Sequence, residues 1–365
     1  MKIAIITWTN TSNFGTGLQA YALQAFLRDM GYDVSLIDYK GLCEKRTITE
    51  YLKSKKRNMF VKMKHFFFGN NEIYRRKNIH EFLWKNAEFT EPITEEVMLY
   101  NLNNEFDCFI CGSDQIWNPN NYDSTYFLPF VNKEKIKIAY APSFGVDEIP
   151  KIKHELYKEL LRNFSLLSVR EKTGINIIEE IVGMTPELFV DPVFLIDRDK
   201  WIKFANRISH KDYVYSYFLS KNEKHINCVS DFAKANKSDF ICAMPNHVNK
   251  QCGNYINVES VGDFLGYIVD ATVVFTDSFH VAAFAIIFHK QVYILSRFDD
   301  NNRCSQNSRV KNLTEMLGIE KNLLKYNSEK FDVSYIDYEK VDRILQNKIN
   351  YSRECLLKEL KKSRS

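Results

Sequence analysis

The sharpest chemical string in the chain is Thr276-Asp277-Ser278-Phe279-His280. It closes a strand-like run, Thr272–Thr276, and opens an apolar helical run, Val281–Phe288. A histidine there sits at the positive end of a helix, placed to act as acid or base near neutrality. Lys290 and Arg297 flank the next strand-like run, Val292–Leu295, and are expected to add positive charge on the same side as His280 and Ser278. Asn307-Ser308-Arg309 follows a polar loop and brings a further cation. The other histidines lie in polar or amphipathic settings that suggest no chemistry.

Three more strings end or follow strand-like runs. Ser168-Val169-Arg170-Glu171 places a guanidinium at a carboxyl end, able to grip a carboxylate or phosphate, or simply to pair with Glu171. Cys111-Gly112-Ser113-Asp114-Gln115-Ile116-Trp117-Asn118-Pro119 offers a carboxylate, a hydroxyl, an amide and an indole face, which suit a sugar. The same string is also an Asx-turn beside a core Trp. Asn13-Phe14-Gly15-Thr16-Gly17-Leu18-Gln19-Ala20 joins the first strand to the first helix, where glycines let the backbone approach a ligand and helix N–H groups face an anion. With Asp38 further on it looks like a dinucleotide fingerprint, but Trp8 to Phe14 intervene where that motif follows its strand directly.

The elements that would position these residues alternate. Expected strands are Lys2–Thr7, Val34–Tyr39, Phe106–Cys111, Ile136–Tyr140, Leu166–Val169 and Leu188–Val190, then Tyr213–Phe218, Phe240–Ala243, Thr272–Thr276 and Val292–Leu295. The first helix spans about Leu18 to Met30, with Gly31 set for its C-terminal turn. Strand, helix and strand in repetition imply an α/β fold of two doubly wound parallel-sheet domains facing across a cleft, with ligands beyond the strands' carboxyl ends. The expected division is 1–195, 196–335 and a charged helical tail, 336–365, packing back across the first domain.

At 365 residues, two such domains are the natural expectation, and 45% hydrophobic and 26% charged residues are ordinary globular values. The short run Ile3–Ile6 is neither a signal peptide nor an anchor, so a cytoplasmic protein is expected. Net charge is only +4, yet Lys and Arg far outnumber acids between Lys40 and His80, with Phe60, Phe66, Phe67 and Phe68 interleaved. That segment suits an anionic membrane surface, at the inner face of the membrane, or a phosphorylated partner, or is a solvated insertion; the near-neutral remainder argues against nucleic acid. Cys108 and Cys111 form the one CxxC, but in a strand they face opposite ways, so buried free thiols are expected rather than a metal site.

In order along the chain, Asn13–Gln24, Gly112–Pro119, Tyr140–Gly145, Ser168–Glu171, Asp191-Pro192 and Thr276–His280 resemble the polysaccharide pyruvyl transferase family. The resemblance implies a fold like the two-domain, cleft-type (GT-B-like) glycosyltransferases. It implies that phosphoenolpyruvate donates a pyruvyl ketal to two hydroxyls of a sugar, in cell-surface or capsular polysaccharide biosynthesis, with no further cofactor. It places Arg170 and His280 among donor-binding and catalytic residues, and Lys290 near a basic donor-binding position; Asp114 is a weaker candidate for handling the acceptor hydroxyl. A sugar or lipid-linked oligosaccharide is the implied acceptor. Two other classes compete. A nucleotide-sugar glycosyltransferase of the same architecture is disfavoured because no Glu occurs from Ser260 to Thr314. A non-catalytic glycan-binding scaffold needs neither Arg170 nor His280.

Overall fold

The computed structural model describes residues 1–41, 71–245, 254–299, 307–328 and 333–362. The basic stretch Lys53–Lys64 and the four interleaved phenylalanines lie outside these described residues.

Short Ile-, Val- and Phe-rich runs with no exposed face are suited to parallel strands covered by helices on both sides. Six of them form one sheet: β1 (Lys2–Ile6), β2 (Asp33–Leu36), β3 (Cys108–Gly112), β4 (Ile136–Tyr140), β5 (Leu166–Val169) and β6 (Glu187–Leu188), in the order β2-β1-β3-β4-β5-β6. Six more form a second: β7 (Tyr213–Tyr217), β8 (Asp239–Ala243), β9 (Asn254–Ile256), β10 (Val273–Thr276), β11 (Gln291–Leu295) and β12 (Leu323–Leu324), in the order β12-β11-β10-β7-β8-β9. Every neighbouring pair is parallel. The fold is thus doubly wound α/β with two parallel sheets flanked by helices. Strand order reverses between β1 and β3 in one sheet and between β7 and β10 in the other, which opens a crevice at the carboxyl ends of each.

The first helix, α1 (Phe14–Asp29), starts four residues before the expected Leu18. Asn13 caps it, its side-chain oxygen accepting the Gly15 N–H, so Gly15, Thr16 and Gly17 form a first helical turn rather than a loop. This removes the last likeness to a dinucleotide fingerprint, because the glycines no longer form the strand-to-helix turn. Gly31, at φ 82°, follows the helix end as expected. The helix α2 (Asn71–Asn86) then lies against α1, with Ile79 and Leu83 both buried. Gly17 permits the contact: a Cβ there would come within 2.6 Å of Ile79 Cγ2.

The two sheets share one apolar core. Phe14 of α1 stacks on Phe264 of α8 (Val261–Asp270), at 5.0 Å between centroids. Phe264 in turn meets Phe284 of α9 (Phe279–Ile287) edge-on. The last helix, α11 (Tyr338–Lys362), follows the second sheet yet packs against residues of the first half. Arg353 donates to the Leu195 carbonyl and covers the Phe26 ring, and the Val190 N–H donates to Ser352. Cys108 and Cys111 are free and wholly buried on opposite faces of β3; burial drives both thiols well above their ordinary range. Among the described residues no helix is long and apolar enough to cross a membrane.

One buried histidine makes stability depend on pH. His225, in α7 (Glu223–Ala235), is 1% exposed and accepts the Asn327 N–H at Nε2; burial pulls its pKa down to about 4. The unfolded chain takes up that proton near pH 6.5, so this contribution is complete above 6.5 and is lost as pH falls towards 4. The loss is on the order of 3 kcal/mol. Denaturant unfolding of His225→Gln at pH 7 and pH 4.5 should show a smaller pH dependence than wild type; an equal dependence would refute the assignment.

Candidate active site

All the candidate residues but one sit at the carboxyl ends of the strands or on the helix that follows. Arg170 leaves the end of β5 and is 5% exposed, inside a ring of carboxylates. Its Nη1 donates to Asp191 Oδ2 at 2.6 Å. Its Nη2 lies 3.7 Å from Asp114 Oδ1 and its Nε 3.8 Å from Glu171 Oε2, neither close enough to hydrogen-bond. Phe279 closes one side, its ring centre 4.5 Å from the guanidinium carbon. Burial alone would lower the Arg170 pKa, but Asp191, Asp114 and Glu171 hold it above its ordinary value.

Asp191 joins the two sheets. It follows β6, and its Oδ1 is fixed by the Val193 N–H at 3.1 Å. Its Oδ2 accepts from Arg170 and from the Ser113 hydroxyl at 3.2 Å, and lies 3.5 Å from His280 Nε2. Burial pushes the carboxyl upward, but His280 and Arg170 overcome this and hold it far below the usual range. His280 comes from the other half of the molecule, in the first turn of α9, and is 4% exposed. The turn containing Gly15 packs directly on its ring: a Cβ on Gly15 would come within 2.1 Å of His280 Cγ. Gly15 is therefore needed for close approach, as its residue type suggests, but what approaches is the imidazole.

Asp114 follows β3 at the first sheet's reversal point, with φ 64°, a conformation a non-glycine residue rarely adopts. The turn is held by the Gln115 N–H, which donates to Oδ1 at 2.8 Å, and by the Thr16 hydroxyl, which donates to Oδ2. Burial favours its protonated form, yet His280, Arg170, Thr16 and Arg309 together keep its pKa below the ordinary value. Gln19 supports this turn by donating to Thr7 Oγ1 and the Thr16 carbonyl.

At the second sheet's reversal point, Asp277 accepts the N–H groups of Leu219 and Ser220 and the Ser220 hydroxyl, and pairs with Arg297 at 3.4 Å. Arg297 also donates to the Asp277 carbonyl. Ser278, 5% exposed, precedes α9 and donates its N–H to Thr276 Oγ1. Helix α10 (Asn307–Leu317) reaches across to the first half, where Asn312 donates to the Arg170 carbonyl and accepts the Lys172 N–H. Arg309 on that helix is pulled down to about 9 by burial and by the Arg170 and Arg297 charges. Three guanidiniums, of Arg170, Arg297 and Arg309, and four carboxylates, of Asp114, Glu171, Asp191 and Asp277, thus meet between the two halves.

Four candidates play other parts. Lys290 precedes β11 and lies at the amino end of its sheet, away from His280; its carbonyl accepts the Tyr338 hydroxyl, and its neighbouring charges are Asp270 and Arg198. A residue before a strand and one after it occupy opposite ends, so only Arg297 shares the His280 side. Trp117 is wholly buried, stacked on Phe127 at 5.1 Å, with its indole N–H donating to the Tyr126 carbonyl. It is a core residue and presents no face to a sugar. Gly112 is a packing position, where a Cβ would meet Leu23 Cδ2 at 2.6 Å. Asn118 caps the short turn after it by accepting the Asn120 N–H. Among the described residues no cluster suits a metal ion.

Asp191 is the residue that sequence reading undervalued. The Asp-Pro pair marks only a boundary by composition, although a carboxylate just past a strand in such a sheet is a signal in itself. Removing its charge would leave Arg170 without its closest partner, which costs about 3–5 kcal/mol for a broken buried pair. Asp191→Asn should be destabilised by that order in neutral urea titrations. Because the native carboxyl is held low, the contribution is present above about pH 4 and fades as pH falls, so wild type and variant should converge in acid. A destabilisation below 1 kcal/mol at pH 7 would contradict the bridging role.

No curated protein matches the chain. Among solved structures, UDP-GlcNAc 2-epimerases from Neisseria meningitidis (9% identity, 97% of this chain and 93% of that one, TM-score 0.48) and Methanocaldococcus jannaschii (13%, 96% and 93%, TM-score 0.48) are similar in outline. So is an E. coli heptosyltransferase (9%, 86% and 97%, TM-score 0.40). The family model described as polysaccharide pyruvyl transferase matches residues 13–300, which runs from the cap of α1 through His280 and Arg297, and the chain belongs to that family.

Proposed function

We propose that the chain transfers a pyruvyl group from phosphoenolpyruvate to two hydroxyls of a sugar, forming a ketal and releasing phosphate. The observation that carries this reading is the meeting of Arg170 and His280, from two different sheets, on one oxygen of Asp191. An anion-holding group and a proton-transferring group are thereby fixed side by side.

Phosphoenolpyruvate carries a phosphate and a carboxylate on three carbons, so its site needs several cations and a proton source but no obligatory metal. Arg170 Nε and Nη2 make no hydrogen bond, leaving donors for such an anion, and Arg297 and Arg309 add charge nearby. Protonation of the methylene carbon by His280 makes the adjacent carbon electrophilic. One sugar hydroxyl adds there and returns a proton to the His280 imidazole. Phosphate then leaves with the C–O bonding pair, the second hydroxyl adds to the resulting oxocarbenium carbon, and its proton leaves on the departing phosphate. Asp191 orients His280 and Arg170 together. Asp114, kept anionic, is suited to accepting a hydrogen bond from an acceptor hydroxyl rather than its proton.

In this reading residues 1–195 and 196–335 are two Rossmann-like domains facing across the cleft that holds Arg170 and His280, and 336–365 is a helical tail packing back across the first. The acceptor is a sugar or lipid-linked oligosaccharide, and the protein works in the cytoplasm, at the inner face of the membrane where such acceptors are made.

Saturation with phosphoenolpyruvate near a hundred times Kd should stabilise the fold by about 2.7 kcal/mol, a rise of a few degrees in Tm. A nucleotide sugar stabilising the protein where phosphoenolpyruvate does not would transfer the assignment to a glycosyltransferase. His280→Ala should lower turnover, followed as phosphate release, by roughly 100-fold or more with little change in phosphoenolpyruvate affinity. Gly15→Ala, which must displace the imidazole, should lose about as much, since a misplacement near 1 Å costs on that order. Near-normal turnover in either variant would remove His280 from the chemistry.

A further inference from the structure

Among the described residues, one arginine outside the Arg170 cluster is buried with no carboxylate at ion-pairing distance. Arg75 lies on α2 and is 2% exposed, on the same face as Ile79 and Leu83. Its Nε donates to the Ser12 carbonyl at 3.3 Å, immediately before the cap of α1. Its Nη1 is fully buried and makes no hydrogen bond, and among the described residues no carboxylate pairs with it. Its charge acts on Tyr217, at the carboxyl end of β7, and on Tyr255 in β9. Burial holds the guanidinium below its ordinary pKa despite the raising effect of Tyr217, Glu72 and Tyr255. The helix that carries it is well fixed, by Gly17 against Ile79 and by Asn78, which donates to the Glu259 carbonyl at 2.8 Å.

Buried donors in native proteins are almost always satisfied, so an orphaned guanidinium N–H between two halves of an enzyme points to a ligand. Its place relative to the reaction centre follows from α1. Thr16 faces Asp114 and the Arg170 cluster, Gly15 faces His280, and Ser12, just before the helix, faces Arg75. The first turn of α1 therefore separates two cationic places, with His280 against it. If phosphoenolpyruvate occupies the Arg170 side, the other is left for the acceptor. We infer that Arg75 holds a phosphoryl group of the acceptor, so that the sugar accepted is a phosphate ester rather than a neutral glycan. This inference rests on the pyruvyl-transfer reading for the word acceptor, but not for the anion subsite itself.

Calorimetric titrations of the full chain test it with four probes: glucose 1-phosphate as a monoester, uridine diphosphate glucose as a diester, free glucose and phosphoenolpyruvate. In Arg75→Gln, affinity for one or both phosphate esters should fall about tenfold to a hundredfold, the usual effect of a lost charge-assisted hydrogen bond. Free glucose and phosphoenolpyruvate should bind as in wild type, within about twofold on the same scale. Which ester responds identifies the monoester or the diester as the form recognised. Unchanged affinity for both esters, or an equal loss for glucose, overturns the inference. Should Arg75→Gln fail to fold, Arg75→Lys decides: it keeps the charge but not the planar fork, so ester affinity should drop a few-fold while phosphoenolpyruvate binding holds, and no drop overturns the inference. If wild type binds an ester in an Arg75-dependent way but ignores phosphoenolpyruvate, the pyruvyl-transfer reading fails and the subsite stands.

Discussion

The arrangement depends on keeping Arg170 ionised inside the protein. A buried guanidinium costs several kcal/mol of lost hydration, and only well-placed anions offset it. Three carboxylates do so here, each from the carboxyl end of a different strand: Asp114 after β3, Glu171 after β5 and Asp191 after β6. Those carboxylates would themselves be protonated by burial if the cations were absent, and Asp114 and Asp191 are instead held anionic. The cluster is thus mutually required. Its members cannot be lost singly, and Glu171 is further fixed by the Ser143 hydroxyl at 2.7 Å and the Phe144 N–H at 3.0 Å. Only in this setting does Arg170 keep two donor atoms unused, because Asp114 and Glu171 neutralise it from distances too long to hydrogen-bond.

A site shared between two sheets needs those sheets held in register, and the apolar core supplies that. Phe14, Phe264 and Phe284 continue the packing of α1 into α8 and α9, so the turn that carries Gly15 and the turn that carries His280 are set by one set of contacts. Gly15 leaves no room for a side chain between them. The imidazole therefore has little freedom to leave Asp191 while α1 and α9 remain packed. Asn312 and α11 add polar ties on either side of the same junction, from helices that belong in sequence to the second half and its tail. Catalytic precision of this kind comes from rigid elements more than from loops.

Much of this was legible in residue order. The strands Ile136–Tyr140 and Leu166–Val169 fall where the apolar runs place them, because a short run covered on both faces has sharp polar ends. Arg170 and His280 stood out because strand ends and helix starts are marked locally. What was not legible depends on distance. The start of α1 was missed because a Gly-Thr-Gly sequence has poor helix propensity, and only the Asn13 cap and the packing of Ile79 and His280 make it helical. Trp117 could be turned inward or outward, and nothing local distinguishes the two; its partners Phe127, Phe144 and Phe164 are distant residues. Arg75 was hidden in a basic stretch that looks solvated. The one signal was its spacing, four and eight residues before Ile79 and Leu83, which puts it on the buried face of a helix.

The second sheet has the strand order that, in many α/β proteins, binds a nucleotide diphosphate in the crevice where the order reverses. In this chain that crevice lies between β7 and β10, and a carboxylate already occupies it. Asp277 takes the N–H groups of Leu219 and Ser220, the kind of backbone donors a diphosphate would use, and engages Arg297 as well. A diphosphate placed there would meet a fixed negative charge and lose those donors, a double electrostatic penalty in a low-dielectric site. The Arg170 Nε and Nη2 donors that make no hydrogen bond, and the Arg309 charge beside them, lie towards the first sheet. The chemistry of a small anionic donor held beside His280 is therefore favoured over that of a nucleotide sugar seated in the second sheet, even though the two architectures are the same. What separates the two is one aspartate at the end of β10.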